Sequence, residues 1–111
     1  MACVLLVDTN QSHAECVRTA LGFHDLAVDV YPDPERAAKR LRRAGNDYDV
    51  VILNVSDPLL PWVNTLVKLQ AACFESGVSP SPLFLCTSTA KRSPEFELRI
   101  ERMGARYVCE G

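Results

Sequence analysis

Four groups of polar residues stand directly behind apolar runs: Asp8, Thr9 and Asn10; Asn54 to Pro58; Thr87, Ser88 and Thr89; and Glu110 after Cys109. A carboxylate in such a place can attack a phosphoryl group or hold a hard cation through oxygen, and Asp8 is suited to both. Asn54 carries a neutral amide, which is no competent nucleophile. No G-x-G-x-x-G follows the first apolar run and no G-x-x-x-x-G-K-[ST] occurs anywhere, so the chain has no phosphate cradle of the nucleotide-binding kind. Cys3, Cys16, Cys73, Cys86 and Cys109 are odd in number and contain no C-x-x-C pair, and no Cys/His group has zinc spacing. They read as reduced thiols of a cytoplasmic protein. His13 and His24 fall at a helix start and just past a helix end without a third ligand, and read as surface histidines.

The elements that position these groups follow from periodicity. Residues 3–7 are continuously apolar, as a strand buried on both faces must be. Further strands are predicted at 26–31, 49–53, 83–86 and 107–109. Between them lie helical patterns: 12–22, with Ser12 as cap and Glu15 three residues on; 34–44, opened by Asp33 and Pro34 and closed at Gly45; 62–75, before Gly77; and one opened by Ser93-Pro94 that ends near Gly104. Residues 78–82 form a proline-rich loop. Strand and helix alternating at this interval require parallel strands joined by right-handed crossovers. The expectation is a three-layer, doubly wound α/β domain, a five-stranded parallel sheet of order 2-1-3-4-5, whose working crevice lies at the carboxyl ends of the strands.

Composition sets the class. The 111 residues supply one core, and 48% hydrophobic with 23% charged residues is an ordinary globular mixture. The formal net charge is −2, so no overall field favours nucleic acid or an anionic membrane. No apolar run approaches the roughly 20 residues that span a bilayer. The basic run of Lys39, Arg40, Arg42 and Arg43 lacks interleaved aromatics and reads as a solvated helix face near a C-terminus.

The order of elements and the residues at their ends resemble the receiver domain of bacterial two-component response regulators, a flavodoxin/CheY-like fold, over essentially residues 1–111. Asp8-Thr9 falls on that family's acid pair, Asn54 on its phosphoryl-accepting Asp with Pro58 four residues later, Thr87 on its hydroxyl position and Tyr107 on its switch aromatic. Glu110 and Gly111 stand where the family has Lys-Pro, or Cys109 stands at the Lys position if the register shifts by one residue; neither supplies a Lys. The departures at Thr9, Asn54 and Glu110 fall on the chemistry and leave the scaffold alone, so the resemblance implies a pseudo-receiver. Of the carboxylates that hold magnesium in the family only Asp8 is left, which implies no cofactor, or weak magnesium binding at most.

This resemblance implies a module of two-component signalling that is not an enzyme and acts by phosphorylation-independent contact with a protein partner or a fused output domain. One alternative is a switch that answers a metal or small ligand through Thr87 and Tyr107. A remote one is a phosphatase with Asp8 as nucleophile, for which the second acid of the D-x-D-x-T pattern is replaced by Asn10. Leu59, Leu60 and Trp62 form an apolar loop beside the crevice, a candidate partner surface. Receivers continue into a fifth helix. Its absence after Gly111 implies an uncovered apolar patch, filled by a following segment of a longer protein or by a second protomer in a homodimer.

Overall fold

The structure is a computed structural model that describes residues 2–57 and 59–110. Pro58 and Gly111, two of the positions compared with the receiver motif, lie outside the described residues. Five strands, β1 (Ala2–Val7), β2 (Leu26–Tyr31), β3 (Val50–Asn54), β4 (Leu83–Ser88) and β5 (Arg106–Cys109), form one sheet in the order β2-β1-β3-β4-β5. Every neighbouring pair is parallel. The helices are α1 (Gln11–Gly22), α2 (Pro34–Ala44), α3 (Trp62–Glu75) and α4 (Pro94–Arg102), and a 3-10 turn at Gly45–Asp47 follows α2. This is the doubly wound architecture expected from the sequence. None of the described helices is long and apolar enough to cross a membrane.

Alternation along the strands divides the core into two layers. On one face Leu5, Val7, Val51, Leu53 and Cys86 pack with Ala37, Ala38 and Leu41 of α2, Leu66, Leu69 and Ala72 of α3, and Ile100 of α4. On the other, Val4, Leu6 and Ile52 meet Ala14 of α1, with Val17 and Leu21 beside them. Three described helices thus cover the first face and one covers the second. Over β3, β4 and β5 the second face is thinly covered: Val50 and Leu85 are half-buried, and Leu83 and Val108 are 43% and 44% exposed.

The caps explain where helices start. Asp33 and Ser93 accept from the backbone N–H groups of Glu35 and Phe96, each followed by proline in the first turn, as expected. Ser12 does not cap α1. Asn10 does, accepting from the His13 N–H, because the chain already turns into helix directly after Asp8 and Thr9. Gly77 and Gly104 end α3 and α4 with positive φ of 67° and 82°. Gly45 has a different reason to be glycine: a Cβ there would come within 2.6 Å of the Val78 side chain, where the end of α2 meets the proline-rich loop.

Among the strand limits that differ from the sequence expectation, those of β3 and β4 bear on the crevice. β3 runs from Val50 to Asn54, one residue later than predicted, and Asp49 just before it donates its N–H to the Cys3 carbonyl while its carboxylate accepts from the Cys3 N–H. β4 continues to Ser88, two residues further than predicted. Asn54 and Thr87 therefore lie inside the sheet and face each other in register.

Packing energetics give a direct check. Leu69 is fully buried between α3 and the sheet, and Leu69→Ala should cost about 2–5 kcal/mol in urea denaturation. Phe74→Ala, at a residue 88% exposed, should change stability by no more than about 0.5 kcal/mol.

Candidate functional site at the strand ends

Asp8 follows β1 directly and is fully buried. A buried carboxylate must have its oxygens met by donors. Here Oδ1 accepts from the Asn10 N–H at 2.9 Å, and Oδ2 meets His13 Nδ1 and, at 3.4 Å, the Asn54 side-chain amide. The other ring nitrogen of His13, Nε2, lies 2.9 Å from Glu110 Oε2. One imidazole thus joins the end of β1 to the residue that follows β5. Burial by itself would lower the His13 pKa, but hydrogen bonds to Asp8 and Glu110, together with their charges, outweigh it and raise it above the ordinary 6.5.

His13 is therefore no idle surface histidine, which corrects the sequence reading. Its position in the first turn of α1, five residues after Asp8, was the signal available. Asp57 is the second residue that sequence reasoning passed over. It is buried three residues after Asn54, and its Oδ2 accepts from both the hydroxyl and the N–H of Thr9, while Oδ1 accepts from Leu59 N–H at 3.0 Å. Burial would raise its pKa; the donors from Thr9 and Leu59 and the His13 charge prevail and hold it below the ordinary 3.8. Thr9, on the expected acid-pair position, thus serves to fix a carboxylate.

Asn54 uses both ends of its amide. Nδ2 donates toward Asp8, and Oδ1 accepts from the Ser56 N–H at 3.0 Å. Together with Thr9, Asn10, His13, Ser56, Asp57, Leu59 and Thr89 it lines a concavity of about 380 Å³.

Thr87 and Tyr107 project to opposite faces of the sheet. The Thr87 hydroxyl is buried on the α1 face and has no hydrogen-bond partner among the described residues. Tyr107, in register with Cys86, points to the opposite face, where its hydroxyl lies 2.5 Å from Ser88 Oγ, accepts from Arg92 N–H and donates to the Ala90 carbonyl. Its ring meets Phe96 edge-on, Phe96 meets Trp62, and the Arg92 and Arg99 guanidiniums lie over Phe96 and Trp62. Trp62 is accordingly half-buried against α4. Of the loop considered as a partner surface, Leu60 is buried in the core and only Leu59, 78% exposed, faces outward, because the aromatic stack draws Trp62 inward.

The donors do not fit magnesium, which a receiver-like crevice implies. Asp8 is already engaged by an imidazole and two amides, Asp57 by Thr9 and Leu59, and no group of three His, Cys, Asp or Glu among the described residues is arranged to hold a metal ion. Burial raises the pKa of Cys73 and pushes Cys86 up to about 12, which disfavours the thiolate form of these two.

No protein-family model matches the sequence, and no curated protein matches it. Solved structures do. The chain is similar to chemotaxis protein CheY4 of Vibrio cholerae, with TM-score 0.76 and 24% identity over 99% of this chain and 87% of that one. It is similar to the receiver domain of the Francisella response regulator 1452, with TM-score 0.75 and 20% identity over 99% and 84% of the two chains. A third neighbour is the BeF3-activated N-terminal receiver domain of RstA from Klebsiella pneumoniae, with TM-score 0.75 and 19% identity over 97% and 85%. At these identities the likeness shows the fold, which is that of CheY-like response regulator receiver domains.

The His13 bridge has a pH signature. Its folded pKa is raised, so its contribution to stability is complete below the ordinary 6.5 and is lost as pH rises through the folded value. Urea denaturation should show wild-type stability falling as pH rises above 6.5, with that dependence removed in His13→Gln. An unchanged pH dependence in the variant would exclude the bridge as its source.

Proposed function

We propose that this chain is a receiver-like signalling module that acts through protein contacts and takes no phosphoryl group. The observation that carries the reading is the closed set Asp8, His13 and Glu110 with the Asn54 amide fitted beside it. Phosphoryl transfer to such a crevice needs a carboxylate to attack and positive charge to receive the developing anion. Asn54 supplies no nucleophile. The His13 imidazole is already shared by two carboxylates, and Glu110 brings negative charge toward the place an incoming phosphoryl group would occupy.

The same packing speaks against Asp8 as the nucleophile of a phosphatase. Asp8 is closed to solvent, its oxygens are engaged, and the position of the general acid in D-x-D holds Asn10, whose side chain caps α1. A response to ligand through Thr87 and Tyr107 finds little support, since the two point to opposite faces of the sheet.

The thinly covered face of Val50, Leu83, Leu85 and Val108 suits contact with a partner. Second copies of this chain can meet there, giving a homodimer; a fused output domain is the other occupant of the same kind.

Two experiments test this. Amide NMR spectra with magnesium and then beryllofluoride, a phosphoryl mimic, should show no shifts at Asp8, Asn54, Thr87 or Tyr107, with Asn54→Asp run alongside as the acceptor-restored control. Wild-type shifts at Thr87 and Tyr107, or label taken from a small phosphodonor, would refute phosphorylation independence. For the contact, sedimentation should show a mass that rises with concentration and a monomeric mass for Val108→Asp. A monomer throughout for the wild type would remove the homodimer.

A further inference from the structure

The basic run of α2 is not spread evenly over a solvated surface. Arg36, Lys39, Arg40 and Arg43 recur at helical i, i+3, i+4 and i+7 spacing, and together with Tyr31 at the end of β2 they line one concavity of about 290 Å³. Arg40 is held in place: its Nε donates to the Tyr48 hydroxyl at 3.0 Å, its guanidinium lies over the Tyr48 ring, and Tyr48 in turn donates to Asp29. Arg36, Lys39 and Arg43 form no ion pair among the described residues. Several nearby acids make contacts of their own, although the Asp29 charge still supports the Arg40 guanidinium. Asp33 caps the helix, Glu35 pairs with Lys68, Asp29 accepts from Tyr48 and Asp49 accepts from Cys3.

Helix stability does not account for this arrangement. The macrodipole rewards Arg42 and Arg43 in the last turn, but it opposes Arg36, which lies in the first. Like charges three and four residues apart repel, so the stripe weakens the helix that carries it. A set of cations maintained against both effects fits a surface shaped for an anionic partner.

We propose that this groove docks an acidic segment of a partner protein. Guanidinium groups pair with carboxylates through two parallel hydrogen bonds, and acids at helical spacing on the partner would match the stripe. Two features disfavour a nucleic acid: the groove offers a single aromatic ring, and the chain as a whole carries a net charge of −2. The groove shares no lining residue with the strand-end concavity, although the Tyr31 carbonyl accepts from the Asp8 N–H at 3.4 Å. Peptide binding at the groove and phosphoryl transfer at the crevice are read by separate measurements, so the two readings fail separately.

The test is fluorescence anisotropy of a labelled peptide with glutamate at i, i+3, i+4 and i+7, its glutamine counterpart, and a labelled DNA duplex. The full chain should bind the glutamate peptide saturably and the glutamine peptide weakly. Arg36→Glu with Arg43→Glu should weaken glutamate-peptide binding about tenfold or more. Arg18→Glu with Arg106→Glu, which changes net charge equally at exposed sites elsewhere, should leave it within about twofold. Arg36→Gln with Arg43→Gln, whose folding circular dichroism would verify, should also weaken it. No saturable binding, equal losses in the two charge-reversed chains, or tighter binding to the duplex would each overturn the proposal.

Discussion

The burial of one carboxylate constrains the polar end of this molecule. Asp8 sits at the end of a central strand with no access to water, and an unmet charge there would cost several kcal/mol. Each group that meets it shapes something else. The turn that brings the Asn10 N–H to Asp8 also places the Asn10 side chain as the cap of α1. The helix so started carries His13 back over Asp8, and the far nitrogen of His13 then requires an acceptor, which Glu110 supplies from the opposite end of the chain. Asn54 closes the set because an amide, unlike a carboxylate, can donate to Asp8. An Asp at that position would put two buried carboxylates in contact.

Alternation along the strands keeps this network apart from a second one. Asp8, Asn54, Thr87 and Glu110 belong to the face that α1 covers, whereas Ser88 and Tyr107 belong to the other. There the Tyr107 hydroxyl is tied to Ser88, Ala90 and Arg92, and its ring leads through Phe96 to Trp62. Edge-on aromatic contacts with guanidiniums above them add about 1 kcal/mol each beyond the area they bury. The start of α3, α4 and the end of β5 are thereby fastened into one unit on a scaffold whose opposite face remains half-covered.

The legible parts of the protein are those governed by local pattern. The continuous apolar run at 3–7, the alternation of strand and helix, and the Asp33-Pro34 and Ser93-Pro94 starts placed every element and led to the strand order found. The candidate site was legible in outline, since parallel strands put their carboxyl ends together whatever their side chains, and Asp8, Asn54 and Glu110 do converge. His13 and Asp57 were missed for a physical reason: a histidine in a first turn and an aspartate in a loop are ordinary in sequence, and only their direction makes them part of the crevice.

Composition and periodicity by themselves determined that this chain forms a doubly wound α/β domain and that its third strand ends in an amide, Asn54, because burial of apolar faces and the chemistry of a side chain are properties of short stretches. Tertiary structure decided that His13 bridges Asp8 and Glu110, that Tyr107 turns away from Thr87, and that Trp62 folds inward. Those outcomes depend on strand register to the single residue and on the approach of groups as many as 97 positions apart, where a shift of one residue sends a side chain to the other face of the sheet.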